Sequence, residues 1–161
     1  MAKSKGGKRK IGAGDVASNR YASYRYELTE RLECGIALTG TEVKALRVSG
    51  AQLKDGYASI RGGELWLHSV HIPPYLPASR ENHNPERDRK LLLHRSEIDR
   101  IAARVAERGL TLVPTRIYFK GGRAKVEIAL ARGKDVYDKR QALRERESKR
   151  DMERGLREAR R

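Results

Sequence analysis

Apolar and polar residues alternate along several short stretches of the chain, and a period of two marks strands with one buried face. Tyr24, Tyr26 and Leu28 form the first such stretch, and Ile36, Ala37 and Leu38 begin a second. Tyr57 to Ile60 and Leu65 to Ile72 flank Gly62-Gly63, a pair that supplies the positive φ angles of a tight hairpin. Another hairpin is predicted where Leu110 to Phe119 runs into Gly121-Gly122 and continues with Val126, Ile128 and Leu130. Two helices interrupt this pattern. Thr41 ahead of Val43, Leu46 and Gly50 predicts a short capped helix. Ser96 and Asp99 resemble a capping box, Ile98, Ile101, Ala102 and Val105 then fall on one helical face, and Gly109 stands where that helix should stop. Pro73, Pro74, Pro77 and Pro85 make residues 73–90 a long loop. Several short strands with two small helices predict a mainly β fold, closed or nearly closed into a barrel.

The two ends lack this patterning. Residues 1–18 are rich in Gly and Lys, and are expected to form a flexible basic leader. The barrel is assigned to residues 19–131. Residues 132–161 carry 12 Lys and Arg against 7 Asp and Glu, with Val136, Leu143, Met152 and Leu156 as the only large aliphatic side chains. Glu145–Lys149 and Glu153–Arg157 are favourable i,i+4 pairs, but no continuous apolar stripe is present to dock a helix on the barrel. This basic tail is therefore either solvated and fraying, or a segment that becomes helical on an RNA surface, where phosphate contacts offset the cost of ordering.

The 161 residues carry a formal charge of +15. Such an excess is tolerated where a polyanion supplies the counter-charge, which means nucleic acid or an acidic membrane. A membrane role is not expected, because no apolar run approaches the roughly 20 residues of a spanning helix and no signal-peptide pattern opens the chain. The single cysteine, Cys34, has no internal disulfide partner and fits a reducing compartment, so a cytoplasmic location is expected.

Catalytic signatures are weak. His68 and His71 lie three apart in a predicted strand and should face opposite ways, which makes no metal pair. One cysteine builds no cysteine-rich zinc site. There is no phosphate-binding Gly-rich loop and no nucleophile elbow. Glu42, Glu64, Glu97 and Glu127 are scattered through charged segments, where surface salt bridges account for them. No catalytic residue, metal or cofactor is expected; a metal-dependent nuclease is the catalytic alternative.

Several segments occur together in a recognisable order. They are Asn19-Arg20, the run Glu33 to Lys44 (ECGIALTGTEVK), Asp55-Gly56-Tyr57-Ala58, Gly63 to Leu67 (GELWL), His71 to Tyr75 (HIPPY), Arg89 to His94 (RKLLLH), Gly109 to Pro114, Lys125-Val126, Gly133-Lys134 and Tyr137-Asp138-Lys139-Arg140. From about residue 17 to 140 they closely resemble the SmpB family of bacterial SsrA-binding proteins. The resemblance implies an oligonucleotide-binding (OB-like) β-barrel with added helices. It also implies a non-enzymatic partner of transfer-messenger RNA that binds the tRNA-like domain and escorts it into stalled ribosomes for trans-translation, in which the unfinished peptide is tagged for proteolysis.

Candidate residues follow from both lines. Arg87, Arg89, Lys90, Lys125 and Lys134 suit phosphate contacts, and Lys125 should face outward because it alternates with Val126. The resemblance places Asn19, Glu33, Leu92 and Lys125 at RNA-binding positions. Asn19 offers a donor and an acceptor to a base edge, and Glu33 accepts from base amines or 2′-hydroxyls. Leu92 would press on an exposed base, although its pattern alone suggests core. Arg20 belongs with Asn19, and Tyr21 or Tyr24 is a candidate for stacking. For the tail, the resemblance implies a helix in the empty message channel near the small-subunit decoding centre. Tyr137 would stack on a ribosomal base there, with Asp138, Lys139, Arg140, Arg144, Lys149 and Arg150 along the same segment. The chain departs from the family pattern at Ser23, Tyr24 and Arg25, and Asp135 replaces a second Lys after Gly133-Lys134. The alternative function is a ribosome- or rRNA-binding translation factor of OB-like fold.

Overall fold

The structure, a computed structural model, describes residues 14–159, with Ser79, Arg108 and the side chains of residues 136–138 excepted. Its elements are β1 (Asp15–Ser18), α1 (Ala22–Arg25), β2 (Tyr26–Ile36), α2 (Gly40–Ser49), β3 (Tyr57–Arg61), β4 (Glu64–His68), a 3-10 turn (Leu76–Ala78), β5 (Arg89–Leu92), α3 (Arg95–Val105), β6 (Leu110–Lys120), β7 (Arg123–Gly133) and α4 (Val136–Ala159). All strand pairings are antiparallel. They run β1-β6-β3-β4-β5-β2-β7, and β7 pairs again with β6. The pairing returns on itself, consistent with an OB-like barrel, and is narrowest where β3 meets β6 through Ala58 and Leu112.

Alternation decides which side chains fill this ring. Leu32, Cys34 and Ile36 of β2, Leu65 and Leu67 of β4, Leu91 of β5, Leu112 and Ile117 of β6, and Val126, Ile128 and Leu130 of β7 form one buried cluster with Ala45 and Leu46 of α2. Each leucine, isoleucine or valine of this set contributes roughly 1.5–3 kcal/mol through burial. A smaller cluster lies outside the ring, where Ala22 of α1 covers Val113 and Ala131. The hairpins turn on Gly62-Gly63 (φ 60° and 74°) and Gly121-Gly122 (φ 58° and 75°), as their sequence predicts. Pro114 sits beside a register shift in β6, where the missing N–H costs the ladder least.

Five sequence expectations are corrected. Tyr24 lies in α1, so β2 begins at Tyr26, and the stretch at Ile36 closes this same eleven-residue strand. Asp15–Ser18, assigned to the leader, pair with β6; residues 1–13 lie outside the described residues. The box at α3 is built from His94 and Glu97, not Ser96 and Asp99, and Glu97 accepts the His94 N–H at 3.3 Å. The strand after Gly63 stops at His68 because Ser69 takes a left-handed φ of 55°. His71 therefore does not continue β4 with the opposite facing, and both histidines line one cavity.

The fifth correction concerns Glu42, which is wholly buried. Its Oε1 accepts from Arg87 Nε and Arg89 Nε, both at 2.8 Å, and its Oε2 from Arg87 Nη2 at 2.6 Å and the Thr39 N–H at 2.8 Å. Burial pushes this carboxyl up, but the bonds from Arg87, Thr39 and Arg89 outweigh it and hold the pKa below the ordinary value. Arg89, itself fully buried, also donates to Val70 O at 2.7 Å and Pro85 O at 3.0 Å. This network ties the long loop and β5 to α2. It takes Arg89 out of any phosphate-binding role and commits most of the donors of Arg87.

Candidate nucleic-acid interface

The register across four strands builds the candidate site. On the outer face Leu92 of β5 stands opposite Gly35 of β2, Gly35 opposite Lys125 of β7, and Lys125 opposite Tyr118 of β6. The neighbouring row is Glu33, Glu127 and Arg116. Leu92 is 52% exposed, although its pattern alone suggests core. A Cβ at Gly35 would lie 3.1 Å from Leu92 Cβ, so a glycine leaves the leucine its place. Glu33, Leu92 and Lys125, distant in sequence, thus meet on one surface, with Lys125 half-buried.

Glu33 is already engaged. It accepts a short hydrogen bond from the Tyr118 hydroxyl and bonds from Lys120 Nζ at 3.3 and 3.4 Å. The Tyr118 bond, with Lys120 and Lys125 nearby, holds Glu33 below the ordinary carboxylate value against the opposing effect of desolvation. Burial and the bond to Glu33 push the Tyr118 phenol up to about 12. In the next row Glu127 accepts from Thr115 Oγ1 at 2.7 Å, Arg31 at 3.0 Å, and Arg116 at 3.1 and 3.2 Å. Arg116 lies over the Tyr118 ring at 4.6 Å. The surface is a preset lattice of charge-assisted bonds in which Tyr118 offers a ring and Lys125 a cation. Sequence reasoning missed Tyr118, Lys120 and Arg116. Their signal was the period of two along β6, which sends residues 116, 118 and 120 to the side opposite Ile117.

A second set of candidates converges where α4 passes α1. Arg146 Nη2 donates to Ser23 Oγ at 3.0 Å, and its guanidinium lies 5.7 Å from the Tyr24 ring centre. Lys134 Nζ donates to Ser23 O at 2.9 Å. Arg20, Lys149 and Arg150 line a cleft of about 380 Å³ between the two helices. The expected absence of an apolar stripe holds, since no described α4 side chain is buried and Leu143, Met152 and Leu156 are exposed. Polar and cation–π contacts seat the helix instead. Its first turn is fixed by Lys139 N–H donating to Asp135 O at 3.0 Å. Lys139, Arg140 and Arg144 continue along α4, while the Tyr137 and Asp138 side chains lie outside the described residues.

The remaining candidates are occupied. Asn19, 9% exposed, donates through Nδ2 to Leu53 O at 3.1 Å and Pro114 O at 3.0 Å, and its Oδ1 accepts the Ala22 N–H at 3.2 Å. It pins α1 to the barrel instead of presenting donors to a base edge. Lys90 is paired with Glu64 at 2.7 Å. Among the described residues no group of three His, Cys, Asp or Glu side chains could hold a metal ion, and no helix is long and apolar enough to cross a membrane.

Residues 16–158 match the SmpB protein family. The chain belongs to that family. It is 54% identical over 160 residues to the SsrA-binding protein of Thermobifida fusca, covering 99% of this chain and 100% of that one. It is 51% identical over 152 residues to the SsrA-binding protein of Syntrophomonas wolfei, covering 94% and 97%. A solved structure described as "tmRNA-SmpB: a journey to the center of the bacterial ribosome" superposes with a TM-score of 0.66 at 46% identity, covering 80% of this chain and 94% of that chain. This SmpB family membership agrees with the resemblance read from the sequence motifs, and the mainly β architecture agrees with the fold it implies.

Proposed function

We propose that this chain is a non-enzymatic RNA-binding protein that takes the tRNA-like domain of transfer-messenger RNA into stalled ribosomes for trans-translation, working in the cytosol. One observation carries the reading: the row Leu92–Gly35–Lys125–Tyr118, flanked by Glu33, gathers an exposed aliphatic side chain, a cation, an aromatic ring and an acceptor on one outward sheet face. A folded RNA is recognised by this kind of surface, with phosphate contacts for position and unpaired bases packed on side chains. Membership in a family of SsrA-binding proteins adds the RNA to which the surface is matched.

The barrel, residues 19–131 joined by β1, serves this RNA. The tail from residue 132 serves the ribosome, with Tyr137 as a stacking ring and Asp138, Lys139, Arg140, Arg144, Lys149 and Arg150 in the message channel. Truncation after Gly133 tests the division. The truncated chain should keep its affinity for the tRNA-like domain to within about threefold and lose peptide tagging on stalled ribosomes. Loss of RNA binding along with tagging would refute it. Tight binding of the intact chain to ribosomes without this RNA would favour the ribosome-binding translation factor instead.

A further inference from the structure

A polar cavity that shares no lining residue with the row just described opens at the outer face of the β3–β4 hairpin. It has a volume of about 610 Å³ and is lined in part by Tyr57, Arg61, His68, Gln52, Lys54 and Asp55, within the usual range for ligand sites. Its wall is an aromatic pair. Tyr57 stands opposite His68 in the hairpin register, and their rings stack with centroids 4.9 Å apart at 29°. The imidazole is fixed at both nitrogens, Nε2 to Ser59 Oγ at 2.6 Å and Nδ1 to Asp88 Oδ1 at 2.8 Å. A ring clamped in this way backs Tyr57, which is still 47% exposed where it lines the cavity. Ser69, the one described non-glycine residue with positive φ, turns the chain here and brings His71 into the same wall.

The charges around this platform choose among ligands. Lys54 and Arg61 are balanced by Asp55, Glu86 and Asp88, so the cavity does not suit a polyphosphate. A flat ring with hydrogen-bond donors on one edge and a single phosphodiester on its tail matches the set. The ring stacks on Tyr57, the donors meet a carboxylate, and Lys54 or Arg61 meets the phosphate. The Asp55 side chain is 74% exposed, and among the described residues only a 4.0 Å contact to Arg25 engages it. A carboxylate accepts from two donors side by side, as guanine presents on its Watson–Crick edge. Uracil presents a single N3–H between two carbonyl oxygens, so it gives the carboxylate one donor where guanine gives two, and sets an acceptor against its second oxygen.

We propose that the Tyr57–His68 cavity binds one unpaired guanine of an RNA strand, stacked on Tyr57 and read by Asp55. This deepens the RNA-binding reading above and rests on it. The test uses the full chain and fluorescently labelled single-stranded RNA hexamers, one all uridine and one with a single guanosine in its centre, at fixed moderate salt. The guanosine hexamer should bind on the order of tenfold more tightly, the scale of one charged hydrogen bond that guanine makes to Asp55 and uracil does not, since stacking alone tolerates any base. Tyr57→Ala should abolish that preference, Tyr57→Phe should keep it, and Asp55→Asn, at an exposed position that cannot disturb the core, should reduce it. Equal affinity for the two hexamers, or a preference unchanged in both Tyr57→Ala and Asp55→Asn, would overturn the proposal. A parallel titration with the tRNA-like domain separates the two claims. If the wild type binds that RNA without preferring the guanosine hexamer, only the cavity assignment fails; if it does not bind that RNA, the family role fails.

Discussion

Replacing Glu42 by Gln removes one charge from the buried seam between α2, β5 and the long loop and leaves the shape unchanged. The wild-type carboxylate meets four donors, three of them guanidinium N–H groups. In the variant, one oxygen of this acceptor becomes an NH2 pointing at donors, and Arg89, with no solvent exposure, keeps its charge without a counter-ion. Breaking a buried pair by removing one partner costs about 3–5 kcal/mol. Against a total stability of roughly 5–15 kcal/mol, this is a large fraction, and for a domain of this size it lowers the melting temperature by roughly 6–20 °C. Urea unfolding at neutral pH, followed by circular dichroism, measures the loss. Arg89→Gln in the same background should recover part of it, because the stranded guanidinium is then gone. A loss under about 1 kcal/mol for Glu42→Gln would show that the network is not the structural tie described above.

Acid should destabilise the fold in a defined window. Burial raises Glu42 and Glu127, but the bonds of Glu42 to Arg87, Thr39 and Arg89, and of Glu127 to Thr115, Arg31 and Arg116, outweigh it and hold both below the ordinary value of about 4.5. The folded state then binds protons less readily than the unfolded chain, so this stability is complete above that value and lost as pH falls through the depressed folded values; urea midpoints flat from pH 7 down to pH 3 would contradict it. Cys34 is fully buried, and burial pushes its thiol up to about 12, so at pH 8 its alkylation should track global unfolding; modification of the native protein at the free-thiol rate would contradict the packing. Lys125→Ala should weaken RNA binding and reduce the slope of log affinity against log salt by about one; an unchanged slope would remove Lys125 from the phosphate contacts. Leu92→Ala should lower RNA affinity while leaving the urea midpoint nearly unchanged, because the side chain is 52% exposed; a large stability loss would place it in the core.

The hairpins were legible in the sequence because each rests on a local cause. Gly-Gly pairs permit positive φ, and period-two alternation on either side sets which face is buried. Helix α3 was legible for the same kind of reason, through Ile98 and Ile101. The network around Glu42 was not, because it joins residues 42, 87 and 89 across a long loop, and no local pattern separates a buried carboxylate from an exposed one. Asn19 misled in the same way: its chemistry suits a base edge, but three backbone groups claim it first. The meeting of His68 and His71 in one cavity turned on the left-handed φ of Ser69, a residue type that gives no warning of that angle. For the candidate interface, alternation placed Lys125 outward. Only the pairing register could show that Leu92, Glu33 and Tyr118 flank it, since register joins strands that sequence keeps apart.

The most direct test of the account is a binding titration of the intact chain against the alanine-accepting, tRNA-like domain of transfer-messenger RNA, with an unrelated tRNA of equal length as competitor, repeated across a salt series. Non-specific phosphate binding falls steeply with salt for both RNAs, whereas packing on Leu92 and stacking on Tyr118 add contacts that salt does not screen. The account predicts a preference for the tRNA-like domain that persists or grows as salt rises. Equal affinity for the two RNAs at every salt concentration would contradict it.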